Sequence, residues 1–208
     1  MAAASSATRP RTSSDAAFGE MAMAKVLVPL AGGFEEIEAL TIVDVLRRGG
    51  QKVVTASIEV GLAVVGAHGV EVKADALFSD VVDDSYDAIV LPGGGGGTEK
   101  MRKCVALIHR LQRQAGEKRL LCAICAAPVV LVDAGVLDDG IQVTCYPTCQ
   151  DGLDRPWIPA PVVADGNVIT GQAPGSAMLF ALVVLKTLAG DEVADDVASQ
   201  MVTDVLDE

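Results

Sequence analysis

Cys125 is the residue of this chain best placed to act as a nucleophile. It ends an apolar run, Leu120 to Ile124, and is followed at once by Ala126, Ala127 and Pro128. A buried strand that meets a helix opened by proline must turn sharply, and such a turn pushes the side chain out of the sheet's end. The same strand-to-helix elbow presents serine nucleophiles in hydrolases. Free amides of the new helix point towards the sulfur, and their partial positive charge predicts a thiol pKa below the usual value. The competing reading is a core cysteine, because unpaired cysteine is among the most buried residue types.

Glu38 is the candidate acid. It falls in a helical segment from about Glu35 to Arg48, and Phe34, Ile42 and Val45 share its helical face, so the carboxyl lies on a largely apolar stripe. Burial there raises a carboxyl pKa and leaves a protonated acid able to donate a hydrogen bond at neutral pH. A carboxyl that snorkels to solvent fits the same pattern equally well. The third feature is the glycine run Gly93 to Gly97, which follows the buried stretch Asp87 to Leu91 and Pro92. Glycine lets backbone amides approach a ligand closely, and open parallel sheets bind ligands beyond the carboxyl ends of their strands. Neither a P-loop nor a dinucleotide fingerprint fits, since Gly-Lys-Ser/Thr and G-x-G-x-x-G are both absent.

Positioning these residues takes an α/β frame. The chain has 208 residues, half of them hydrophobic but only 3% aromatic, so small aliphatics in short runs must fill the interior. That pattern marks parallel strands buried on both faces. Strands are expected at Lys25 to Leu30, Gln51 to Ser57, Asp87 to Leu91, Arg119 to Ile124, Gln142 to Cys145 and Val168 to Gly171, with a hairpin around His68. Helices are expected at about Glu35 to Arg48, with Arg47 and Arg48 both within reach of Asp44, at Thr98 to Gln114 and at Ala126 to Ala134. A long apolar helix follows Gly171, and an acidic one spans about Glu192 to Leu206. Residues 1–22, rich in Ala, Ser and Thr, read as a disordered N-terminal extension, and 23–208 as one domain.

A net charge of −12 with no basic cluster argues against nucleic acid as a partner. The longest apolar stretches, such as Ala177 to Leu185, are too short to span a membrane. Five cysteines without a secretory signal point to reduced thiols and a cytoplasmic protein, with an organellar address weakened by Asp15 and Glu20 in the extension. Cys122 lies inside a strand, so Cys122-x-x-Cys125 is a coincidence of spacing rather than a redox motif. With only His68 and His109, no zinc half-sites are recognisable and no metal is expected. His109 reads as a surface residue and Trp157 as the anchor of its loop. Cys104, Cys145 and Cys149 read as packing residues.

In AGGFEEIEALTIVDVLRRGG, DAIVLPGGG, AICAAP and DGNVITGQAPGSAMLFAL, the chain resembles the ThiJ/PfpI superfamily in its DJ-one-like branch, over about Lys25 to Ala198. The resemblance implies a flavodoxin-like three-layer sandwich, a mostly parallel sheet with helices on both faces, assembled as a homodimer and using no cofactor. It implies Cys125 as nucleophile, Glu38 as its acid or hydrogen-bond partner, and amides of Gly93, Gly94 and the elbow residue Ala126 as oxyanion donors. The activities implied are a glutathione-independent glyoxalase acting on methylglyoxal or glyoxal (the D-lactate dehydratase type), a protein deglycase, or a stress protein and chaperone regulated by oxidation of Cys125. Two departures bear on substrate preference. Tyr146 stands where the family often has histidine, and a tyrosine with an ordinary pKa of about 10 is no base near neutrality. Gln172 and Ala173 replace an Arg-Gly pair. The PfpI-type peptidases place histidine directly after the cysteine, where this chain has Ala126, and the downstream histidine of glutamine amidotransferases has no counterpart.

Overall fold

Short runs of Val, Leu and Ile, unbroken by polar residues, build the centre of the molecule, and the computed structural model describes residues 23–203. The N-terminal extension lies outside the described residues, as do positions 204–206 of the expected acidic helix, which ends at Gln200. In chain order the elements are β1 (Lys25–Leu30), α1 (Glu36–Arg48), β2 (Lys52–Ser57), β3 (Ala63–Val65), β4 (Glu71–Lys73) and β5 (Ala76–Leu77). Then come α2 (Phe78–Val81), β6 (Ala88–Leu91), α3 (Gly95–Lys103), α4 (Val105–Gly116), β7 (Leu120–Ile124) and α5 (Pro128–Asp133). The chain continues through β8 (Val162–Asp165), β9 (Val168–Gly171), α6 (Ala177–Ala189) and α7 (Asp191–Gln200).

Seven strands form one sheet in the order β5-β2-β1-β6-β7-β9-β8, parallel throughout except that β8 runs antiparallel to β9. Strand alternation divides the core in two. Val26, Val28 and Leu30 of β1 pack with Ile42, Leu46, Phe180 and Val184 of α1 and α6. Leu27 faces the other way, into a cluster with Met101, Leu107, Leu111 and Val130 of α3, α4 and α5. Helices therefore cover both faces, and the expected flavodoxin-like sandwich is the architecture observed.

Three local expectations are corrected, and one pair of elements was not foreseen. Gln142 to Cys145 is not a strand: Val143 makes only an isolated bridge to Trp157, and the Thr144 amide donates to Thr170 Oγ1 at 2.9 Å. Both edges of β9 are already taken, by β7 and by β8, whose tight turn through Gly166 (φ +58°) favours local pairing. The helix expected from Thr98 to Gln114 begins inside the glycine run and breaks at Cys104, whose extended ψ of 93° separates α3 from α4. Arg48 pairs with Asp44 at 2.7 Å, but Arg47 reaches Asp75 at 2.8 Å instead. The short pair β5–α2 had no counterpart in the sequence reading. Trp157 does anchor its loop, donating from Nε1 to the Cys145 carbonyl at 3.1 Å, and His109 is exposed.

Phe180 is fully buried on α6 against β9, with its ring in the space that a Cβ on Gly171 would need. Phe180→Ala is expected to lower unfolding free energy by about 3–5 kcal/mol. Leu179→Ala on the exposed side of the same turn should change it by less than about 0.5 kcal/mol. Urea unfolding of both variants checks the difference; equal losses would contradict the assignment of α6 to the core.

Candidate active site

Three loops leave the carboxyl ends of β1, β6 and β7 side by side, and each delivers one part of the site. At the exit of β7 the chain turns at Cys125 in the left-handed region, φ +63°. A non-glycine residue there is strained by about 1–3 kcal/mol and persists only when its neighbours hold it. Both main-chain groups of Cys125 are held: its amide donates to Gly171 O at 3.0 Å, extending the ladder to β9, and its carbonyl accepts the Tyr146 amide at 2.7 Å. The helix after the elbow opens with Pro128 in its first turn, as expected. Cys125 is 8% exposed and Ala126 9%, so the sulfur sits just beneath the surface.

Glu38 comes from the first turn of α1 and has no exposed surface. Phe34, Ile42 and Val45, its helical-face neighbours, are equally buried, so the apolar stripe read in the sequence carries the carboxyl inward rather than out to solvent. Oε2 accepts the Gly93 amide at 2.7 Å, and the Cys125 thiol lies close enough to draw the carboxyl pKa down. Oε1 is buried with no hydrogen-bond partner. Glu35, the N-cap of α1, accepts the Glu38 amide at 2.8 Å and so fixes the first turn.

Gly93 is wedged between acid and thiol: a Cβ there would lie 2.7 Å from both Cys125 Cβ and Glu38 Oε2. Gly94, at φ +89°, packs so closely on the backbone from Gly33 to Glu35 that no side chain fits. The two glycine amides have different partners. Gly93 holds the acid, which corrects the expectation that it faces an oxyanion, whereas the amides of Gly94 and Ala126 act on the sulfur by favouring its anion. Tyr146 is 41% exposed and touches the elbow through its backbone amide rather than its hydroxyl.

Burial is the largest influence on both titrating groups. It raises Glu38 to about 7, against the pull of the Gly93 amide and the Cys125 thiol. It raises Cys125 to about 12, helped by the Glu38 charge and opposed by the amides of Gly94 and Ala126. The thiol lowered by a helix start is therefore not what the structure holds, because the elbow is buried and faces a carboxylate. The two groups together carry one proton and one negative charge from about pH 7 upward.

Cys122, three residues earlier, is fully buried in β7 with its thiol pushed up by burial, and all five cysteines are unpaired. Among the described residues, Glu35, Glu36 and His68 form a group with metal-ligand geometry. Sequence reasoning missed Glu35 as the cap and the approach of His68; the acidic residue three before Glu38 was the available signal for the first, and none existed for the second.

The profile of the DJ-1/PfpI family matches residues 24–187. Protein DJ-1 homolog A of Arabidopsis thaliana is 37% identical over 177 residues, 84% of this chain and 45% of that protein, so the chain spans about half the length of that relative. The Caenorhabditis elegans protein named glutathione-independent glyoxalase DJR-1.2 is 35% identical over 161 residues, covering 76% of this chain and 84% of its own. Among solved structures, oxidized Toxoplasma gondii DJ-1 matches with a TM-score of 0.83 and 39% identity, covering 86% of this chain and 98% of that one.

Between its ordinary value of 4.5 and about 7, the folded protein keeps a proton on Glu38 that the unfolded chain releases. Stability must therefore fall as pH rises through that window. Relative to Glu38→Gln, the wild type is expected to lose on the order of 3 kcal/mol between the two ends. Denaturant unfolding at several pH values measures this; parallel profiles for the two proteins would show that the carboxyl is solvated.

Proposed function

The chain belongs to the DJ-1/PfpI family, and from that premise we propose that it converts small 2-oxoaldehydes such as methylglyoxal and glyoxal to 2-hydroxy acids without glutathione. The observation that carries this reading is the buried contact between Glu38 and Cys125, tied in place by the Gly93 amide. It is supported by the glyoxalase name of the Caenorhabditis elegans relative.

In the first step the proton of the pair passes from sulfur to Glu38, leaving a thiolate that the amides of Gly94 and Ala126 stabilise. The sulfur adds to the aldehyde carbon, and the carbonyl oxygen becomes a hemithioacetal hydroxyl by taking up a proton. Glu38, alternating between its two protonation states, removes the proton from the former aldehyde carbon and the neighbouring ketone carbon receives one, giving a thioester of lactate. A carboxyl that titrates near neutrality suits both halves of that transfer. Water cleaves the thioester and restores the thiol, so methylglyoxal and one water give lactate with no net oxidation and no cofactor. Glycated amines offer a hemiaminal carbon to the same sulfur, which makes deglycation an extension of this chemistry. The working form is a homodimer, for which the exposed apolar side chains Ile37 and Leu40 on α1 are available contact surface. Among the described residues no helix is long and apolar enough to cross a membrane, and the cytoplasm is the compartment proposed.

A second reading rests on the same pair. The Toxoplasma gondii relative is described as oxidized, and a protonated Glu38 beside an oxidised Cys125 would hydrogen-bond a sulfinate, so the site can also serve as an oxidation sensor.

Purified protein given methylglyoxal alone is expected to release lactate, with Cys125→Ser abolishing turnover and Glu38→Gln lowering kcat by about 10²–10⁴-fold. Turnover that survives Cys125→Ser removes the assignment. Mass spectrometry after mild peroxide should find oxygen added to Cys125 ahead of Cys122, Cys104, Cys145 and Cys149; oxidation confined to Cys125 with no aldehyde turnover would favour the sensor instead.

A further inference from the structure

The loop between β3 and β4 lies over the N-terminus of α1 and brings His68 to two glutamates distant in sequence. Gly66 makes this possible, because a Cβ at that position would collide with the Glu36 carboxylate. Glu36 Oε1 accepts the backbone amides of His68 and Val70 at 2.7 and 3.3 Å, and Oε2 stands 3.0 Å from His68 Nδ1. Glu35 Oε1 points at the same imidazole nitrogen from 3.8 Å. Its partner oxygen caps the Glu38 amide, but among the described residues no donor reaches Oε1 itself, although the Glu35 side chain is only 9% exposed. No lysine or arginine among the described residues pairs with either glutamate.

We propose that Glu35, Glu36 and His68 form a binding site for one divalent transition-metal ion of the zinc class, distinct from the Cys125 centre. The ligand atoms Glu35 Oε1, Glu36 Oε2 and His68 Nδ1 all lie within 4.8 Å of one another. Around a tetrahedral ion with bonds of about 2.1 Å, ligand atoms stand about 3.4 Å apart, so the observed 3.0 and 3.8 Å bracket the required spacing. Two carboxylates and an imidazole suit zinc and its neighbours better than magnesium or calcium, which prefer oxygen alone. The helix N-terminus opposes a cation with about half an elementary charge, and two carboxylates outweigh it. On binding, the ion displaces the proton held between His68 Nδ1 and Glu36 Oε2, and that proton passes to solvent. The His68 side chain is 73% exposed, which leaves an entry path and a position for a water as fourth ligand. A site of this kind binds exchangeably at the surface. It differs from the paired half-sites of a structural zinc.

The test uses the full chain carrying Cys125→Ser, so that the elbow thiol does not compete for zinc. Only two histidines are present, and His109 lies on α4, so their imidazole NMR signals separate the sites. One equivalent of Zn²⁺ is expected to shift the His68 ring resonances and leave those of His109 in place. His68→Ala, an exposed substitution, should weaken zinc binding at least ten-fold in a chelator competition. Equal movement of both histidines, unmoved His68 signals at saturating zinc, or unchanged affinity in His68→Ala would each overturn the proposal.

Discussion

The rest of the structure depends on two acidic groups, a carboxyl and a thiol, being buried against each other with room for one negative charge. Apart, each would be an ordinary surface acid. Together in a low-dielectric pocket both are pushed up by burial, and the Glu38 charge raises the thiol further while the thiol draws the carboxyl part of the way back. The surrounding backbone limits that cost. Gly93 donates to the carboxyl, Gly94 and Ala126 favour the sulfur anion, and the charge has hydrogen bonds whichever atom carries it. A proton that can sit on either partner is what a carbonyl-adding nucleophile needs, and it is also what a sulfur that is oxidised and then stabilised needs.

Parallel topology makes the arrangement possible. In a parallel sheet every strand leaves from the same end, so the loops after β1, β6 and β7 meet although they lie far apart in sequence. Close approach then requires glycine. The turn after β6 touches the turn after β1 through Gly97 N to Gly33 O at 3.1 Å and Glu35 N to Gly93 O at 3.0 Å. A side chain at Gly93 would separate acid from thiol, and one at Gly94 would push the two turns apart. Strain at Cys125 is carried by the ladder to β9 on one side and the Tyr146 amide on the other. The geometry of the site and the packing of its backbone are thus the same set of contacts.

Much of this was legible in the order of residues. The elbow followed from an apolar run meeting Cys125 and Pro128, the apolar stripe beneath Glu38 from its spacing with Phe34, Ile42 and Val45, and the parallel sheet from short aliphatic runs. These are local signals, decided within one or two turns or one strand. Other features were misread for the same reason. Gln142 to Cys145 has a strand's composition, yet β7 and β8 already occupy both edges of the neighbouring β9, and Val143 is left with an isolated bridge. Cys104 interrupts a helical pattern without any glycine or proline to announce it.

By itself, then, the sequence determined the fold class, the position of the thiol and the apolar stripe that carries the acid, because secondary-structure period and burial of apolar faces are written in neighbouring residues. Only the tertiary structure decided what those groups experience. The rise of the thiol pKa, the engagement of the Gly93 amide with an acid 55 residues away, and the meeting of His68 with Glu36 across 32 residues are long-range contacts. Electrostatic energies depend on distance and on the exclusion of water, and neither exists until the sheet has brought its loops together.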